Sequence, residues 1–256
     1  MPTSFSALCS DFYINQKLAL KMDLPTGRET VLDLFDRIRK FRPTMNRFRR
    51  FEGELALEST PADGQYDWVA LRQTAARSGT VNPESLAEAY QLHRLLLEIA
   101  PYYLSVSPLD VDYLELMFGF DLEASGNHDD IVFDALFAET PVGRLVDADR
   151  LIALDVQPFF TFALDPDRKV QVNFEVKTRS GEVEPGEDGP PPSEAGGSDE
   201  PISVFLSLRR VGPIDSVEEL PAIFESLTAA AEQLANDRVI PHLIMPINKA
   251  ISSRSR

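Results

Sequence analysis

Seven basic residues and no acidic one fall within RIRKFRPTMNRFRRF, residues 37–51 of a 256-residue chain whose formal net charge is −16. Guanidinium groups carry planar, forked donors that match carboxylate and phosphate oxygens, so this island is where a partner would be gripped. If the segment is helical, Asp33 with Arg37 and Asp36 with Lys40 stand four residues apart. That spacing gives routine surface ion pairs and absorbs two of the charges. Arg39, Arg42, Arg47, Arg49 and Arg50 are left as the candidate partner-binding set. Ile38, Phe41, Met45 and Phe48 recur at steps of three and four, which reads as a helical face turned inward and interrupted at Pro43.

The rest of the chain sets 18 basic residues, the 25 less those seven, against 41 acidic ones. Such a surface repels nucleic acid, and no zinc-finger, recognition-helix or RNA-binding signature offsets it. The arginines are therefore expected to meet carboxylates: on another protein, on a second copy, or on the chain's own acidic stretch. That stretch, GEVEPGEDGPPPSEAGGSDE at 181–200, carries seven acids and no base. With almost no apolar side chain, it is expected to be a disordered loop.

Other chemistries lack their residues. His93 falls in an apolar helical stripe and reads as a core histidine. His128 lies in NHDD, whose Asn and Asp residues suit a helix N-terminus as well as a metal. His242 lies between Pro241 and Pro246 in an apolar tail expected to cover a sheet edge. There is no HExxH, paired cysteine, calcium loop, GxGxxG, GxxxxGK or GxSxG, so no metal and no cofactor are expected. Cys9 has no activating neighbour in sequence. Asp110, Asp112, Glu115 and Asp121 are spaced to share a strand face, but acids are so numerous that they mark a solvent face, and no catalytic residue is assigned.

Periodicity supplies the elements that would position these groups. Period-two alternation marks strands at Ile14–Leu24, Leu114–Leu122, Val170–Lys177 and Ile202–Leu208. A hairpin is expected from ELALES (54–59), a turn with Asp63-Gly64, and YDWVALRQ (66–73). Helices are expected from a Thr26/Glu29 capping box, from Asn82-Pro83 up to a stop at Pro101, from Asn127, and from Ser216 or Pro221.

KLALKMDLPTGRETVLDLF parallels LELMFGFDLEASGNHDDIVFDALF, and WVALRQTAARSGTVNPESLAEAY parallels SVFLSLRRVGPIDSVEELPAIF. Two matches in the same order predict a duplicated βαββα unit, residues 1–107 and 108–256, fused into one globular unit. One-sided strands then give an α+β fold: a largely antiparallel sheet of about seven or eight strands with helices packed on one face.

The run SPLDVDYLELMFGFDLEASGNHDD, with YDWVALRQ, resembles conserved bacterial proteins that carry no assigned activity. The doubled arrangement is similar to tandem gyrase-inhibitor-like ligand-binding modules and to doubled ferredoxin-like barrels, a likeness of fold alone. A single Cys9, the absence of a basic-then-apolar leader and the absence of any long apolar run point to a soluble, cytoplasmic protein. The expected function is a non-enzymatic binding or protein-interaction module. The alternatives are a sensor holding a small apolar ligand between sheet and helices and, behind it, an enzyme using carboxylates.

Overall fold

Phe12, Ile14 and Leu18 of β1 (Asp11–Leu20) are buried among helices, while Tyr13, Asn15 and Lys17 alternate to the other side. This alternation between a helix-covered face and a second face organises the chain, which is described for residues 5–25, 27–146, 151–178 and 200–254 in the computed structural model.

After β1 come α1 (Arg28–Phe41), β2 (Met45–Phe51), β3 (Glu54–Ser59), β4 (Tyr66–Arg72), β5 (Ala75–Val81) and α2 (Leu86–Tyr103). Then follow β6 (Val111–Leu122), α3 (His128–Leu136), β7 (Phe159–Ala163), β8 (Val170–Lys177), β9 (Ile202–Val211) and α4 (Leu220–Leu234). A π-helical stretch, Ala235–Ile244, leads into α5 (Met245–Arg254).

All nine strands form one antiparallel sheet in the order β2-β3-β4-β5-β1-β6-β9-β8-β7. The buried apolar residues of α1 to α5 join the cluster that contains Phe12, Ile14, Leu116, Phe118 and Leu206. Two smaller clusters on the opposite face draw on strand residues: Tyr13, Val81, Met117 and Phe205 in one, and Ala56, Trp68 and Ala70 in the other. The fold is α+β, with a helical layer over one side of the sheet.

Several local expectations hold for stated reasons. The β3–β4 hairpin forms with Asp63 at φ 52° and Gly64 at φ 78°, the left-handed pair that a tight hairpin turn demands. Asn127 caps α3, its Oδ1 accepting from the N–H groups of Asp129 at 2.9 Å and Asp130 at 3.1 Å.

Others are corrected. The sheet has nine strands, because MNRFRRF is strand β2 and AARSGTV is strand β5. β5 was hidden from a periodicity search because it is buried on both faces along its whole length and so does not alternate. α2 is capped by Ser85, whose Oγ accepts from Glu88 N–H at 3.2 Å. Asn82 instead stays at the end of β5 at φ 48°, accepting from Phe12 N–H at 2.9 Å and donating to Gly64 O at 3.2 Å. The helix runs through Pro101 to Tyr103, giving up the one N–H that proline lacks and ending within a turn of it. α1 begins after Gly27 without a side-chain cap, and the expected capping residue Thr26 lies outside the described residues.

The tail around His242 is helical, not a strip along a sheet edge. Wider π turns carry the chain past Pro241, with Met245 N–H donating to Ile240 O. No helix among the described residues is long and apolar enough to cross a membrane.

Candidate functional site

Pairing sorts the five candidate arginines into three places. Arg39 lies on α1 and donates to Asp36 at 2.8 Å, an exposed i,i+3 pair. This replaces the expected Asp36–Lys40 contact. Arg42, just past the end of α1, donates to the carboxylate and to the main-chain carbonyl of Glu88, both at 2.8 Å, and stands 3.9 Å from Asp67. It clamps α1 to the start of α2 and to β4. Asp67 has its carboxyl pushed up by burial, against the opposing pull of the Thr80 hydroxyl and Arg42.

Arg47, Arg49 and Arg50 all lie on β2, yet on opposite faces. Arg47 and Arg49 stand across from Glu58 and Ala56 on the helix-free side, Arg49 being 3.8 Å from Glu58. Arg50 pairs with Leu55 on the helix side, where Phe48 contacts Phe35 with ring centroids 5.9 Å apart. The set is therefore not gathered into one patch. What three of its members share is an outermost strand, and the register of that strand is also broken between Met45 and Arg47. Charge and irregularity on an outer strand are what discourages pairing with another chain.

The opposite edge has neither. β7 reads FFTFA, and Phe159, Phe160 and Phe162 are about half exposed, at 57%, 48% and 56%. Leu164 just beyond it, and Leu151, Ile152 and Leu154 just before it, are exposed as well. Val176 N–H donates to Pro158 O at 3.0 Å and Leu164 N–H to Val170 O at 2.8 Å. The even-numbered residues of β7 thus bond to β8, and the N–H and C=O groups of Phe159, Thr161 and Ala163 point off the sheet. The sequence signal was there: residues 151–164 hold one charged side chain, Asp155, in a chain that is 26% charged. A search confined to reactive side chains passes over it.

On the helix-free face, charged side chains are paired among themselves. Glu54, nearly buried, accepts from Arg72 at 2.7 Å and Arg77 at 3.2 Å, and Arg77 lies 5.3 Å from the Trp68 ring centroid. Glu115 accepts from Arg209 at 2.8 Å, and that guanidinium lies 4.1 Å from the Tyr113 ring centroid. Asn15 is nearly buried between them with no hydrogen-bond partner for its amide among the described residues. The cavity beside it, about 10 Å³, has room for roughly one water molecule.

The carboxylates of the β6 region do not converge. Asp110 accepts from Met22 N–H at 3.0 Å, Glu115 holds Arg209, and Asp121 accepts from Ser203 at 2.6 Å.

Each histidine and the cysteine can be placed. His93 is fully buried against Phe224, its Nδ1 2.8 Å from Ser78 Oγ, which donates to Gln16 Oε1 at 2.9 Å. Burial pushes its imidazole down to about 3, with Arg42 adding in the same direction. A serine beside a histidine has the outline of a nucleophile and its base, but both lie under the helices, out of reach of a substrate.

His128 contacts the carbonyls of Thr178 and Ala124, while the acids after it bind main chain and a hydroxyl. Asp129 accepts from Thr178 Oγ1 at 2.7 Å and Val156 N–H at 2.8 Å, and Asp130 accepts from Ala153 N–H at 2.8 Å. NHDD thereby anchors the segment leading into β7. No metal-binding cluster of His, Cys, Asp and Glu occurs among the described residues. Cys9 donates to Phe5 O, and burial, then Asp121 and Asp11, push its thiol up to about 12. That disfavours the thiolate, the form in which a cysteine attacks.

A groove of about 360 Å³ runs between α2 and α4, lined by Arg94, Glu98, Tyr102, Glu218 and Glu225 among others. It belongs to the outer helical layer. Compared with known proteins, the chain matches no family model and no curated protein.

Proposed function

We propose that this chain is a non-enzymatic protein-interaction module that docks through the β7 edge of its sheet. One observation carries the reading: an outermost strand whose outward main-chain groups have no partner among the described residues, with three half-exposed phenylalanines and no charge. Proteins normally blunt such an edge with lysine, proline or a bulge, as arginines and a register break do on β2, because it templates pairing with another strand. In this reading Arg47, Arg49 and Arg50 guard β2, Arg42 clamps the α1 junction, and Arg39 pairs with Asp36 within α1. The chain's own acidic stretch 181–200, the other expected partner for the arginines, lies outside the described residues.

The sensor reading has less support. The larger of the two cavities described above lies in the helical layer, and three glutamates rim it.

The test is capture of partners from the native source with wild type and with a Phe160→Lys/Phe162→Lys variant. Partners held by the wild type and lost by the variant are expected. Equal recovery by both would remove β7 from the function.

The fold also supports descent from a doubled unit. β1 and β6 lie side by side at the centre, flanked by β5 and β9, then β4 and β8, then β3 and β7. Each half begins with strand and helix and closes with strands and a helix, β2 being an addition to the first half. A least-squares fit of β6–α4 onto β1–α2 that left α1 and α3 at different places relative to their strands would sink the idea.

A further inference from the structure

We infer that the occupant of the β7 edge is the β7 strand of a second copy, paired antiparallel about a two-fold axis through Thr161. This rests on the reading of β7 as a docking edge and adds the partner and the register.

The first argument is main-chain geometry. In an antiparallel pair, residues that exchange both hydrogen bonds alternate with residues that exchange none. The outward-facing groups belong to residues 159, 161 and 163, a set symmetric about Thr161. A two-fold through Thr161 sets Phe159 against Ala163 of the copy and Thr161 against its own counterpart. Every outward N–H then meets an outward C=O. The same operation sets Phe160 opposite Phe162 of the copy, both on the helix side, where Phe162 already contacts Phe174 at 6.3 Å between ring centroids. Aromatic pairs facing each other across strands are favourable.

The second argument is charge. Two chains of formal charge −16 repel over most of their surfaces. Residues 151–164 carry Asp155 as their one charged side chain, so two copies approach there at least cost.

The third is area. Three phenylalanines about half exposed leave roughly 300 Å² of ring surface in water. Leu164, Leu154, Ile152 and Leu151 extend that surface along the chain, toward the roughly 800 Å² per partner of a specific interface. The layout of the sheet agrees: beside β3, the counterpart of β7 by position in the sheet, the outer place is filled by β2 of the same chain. Beside β7 no described residue fills it.

The test uses the full chain. Sedimentation velocity across the micromolar range should show the wild type at twice the 28.6 kDa monomer mass. Thr161→Pro removes an N–H that points away from β8, so it should leave circular dichroism and melting unchanged while weakening the dimer by about tenfold or more. If that variant unfolds, Thr161→Lys, which sets like charges opposite each other, makes the same point. In a Cys9→Ser background, Thr161→Cys should form an intermolecular disulfide under mild oxidation, because hydrogen-bonded partners bring their Cα atoms to about 5.5 Å. Phe159→Cys should not, since its counterpart is Ala163. A monomeric wild type, a dimer indifferent to both Thr161 substitutions, or cross-linking of Phe159→Cys in place of Thr161→Cys would overturn the inference. A monomer whose captured partners are lost on Phe160→Lys/Phe162→Lys would overturn it while leaving the interaction-module reading in place.

Discussion

Trp68 lies against Gly79 across the β4–β5 pair, its ring filling the space that any side chain at position 79 would need. A Cβ built on Gly79 would fall 2.2 Å from the indole. This contact buries Trp68 completely on the face that carries no helix. Tyr13 stands over Gly119 in the same way, again at 2.2 Å, across the β1–β6 pair.

Gly79→Ala should destabilise the fold by about 1–3 kcal/mol, the usual cost of overfilling a packed site. Urea denaturation gives the number. Adding Trp68→Ala to Gly79→Ala should recover less than the sum of the two single losses, because both changes act on one contact. Full additivity would show that the ring does not rest there.

His93 should make stability fall in acid. Burial holds its folded-state pKa near 3, against 6.5 ordinarily, so between those values the unfolded chain binds a proton that the native state refuses. The contribution is intact above about pH 6.5 and is lost progressively as pH falls toward 3, at up to ~1.4 kcal/mol per pH unit. His93→Gln should flatten that window by close to one proton relative to wild type, carboxylate titration being common to both. Unfolding free energies at a series of pH values check it, and parallel curves would refute a buried neutral imidazole.

Arg42 and Arg39 should behave differently although only three positions separate them in the basic island. Arg42→Ala breaks two hydrogen bonds to Glu88 and removes the cation near half-buried Asp67, and should cost about 2–3 kcal/mol. Arg42→Lys should recover little of it, since a point charge cannot reach both oxygens of that residue. Arg39→Ala, at an exposed pair with Asp36, should change stability by less than about 0.5 kcal/mol. Thermal melts of the three variants decide between clamp and docking patch.

Replacing Arg47, Arg49 and Arg50 with threonine should make the chain self-associate into larger species. Threonine suits a strand and leaves β2 without its charges. Light scattering should rise with concentration in this variant beyond the wild-type level. An unchanged profile would mean that the arginines do not guard the edge.

Fold class was legible because alternation is a local property. β1, β6, β8 and β9 each turn alternate apolar residues to the helical side, and Val172 beside Asn173 says so without knowledge of the neighbours. The hairpin at Asp63-Gly64 and the cap at Asn127 were equally legible, since each needs only a few consecutive residues. β5 was not, because Ala75–Val81 is buried on both sides and its small residues fit strand or loop alike. His93 was rightly placed in the core, but the sequence could not show that its Nδ1 meets Ser78 across the sheet–helix boundary.

The basic island draws the dividing line. The sequence alone determined that positive charge is concentrated at 37–51, that 151–164 is almost uncharged, and that apolar and polar residues alternate along several strands. Tertiary structure decided that the island divides between a helix, a clamp and an outer strand, and that FFTFA lies at the opposite edge with its odd-numbered amides turned away from β8. MNRFRRF has its apolar residues three apart, the spacing of a helix turn and not of a strand, so local pattern pointed to the wrong element. Pairing with β3 chose. Whether a strand is central or outermost depends on partners distant in the chain, and hydrogen bonds between strands carry no signature within either strand.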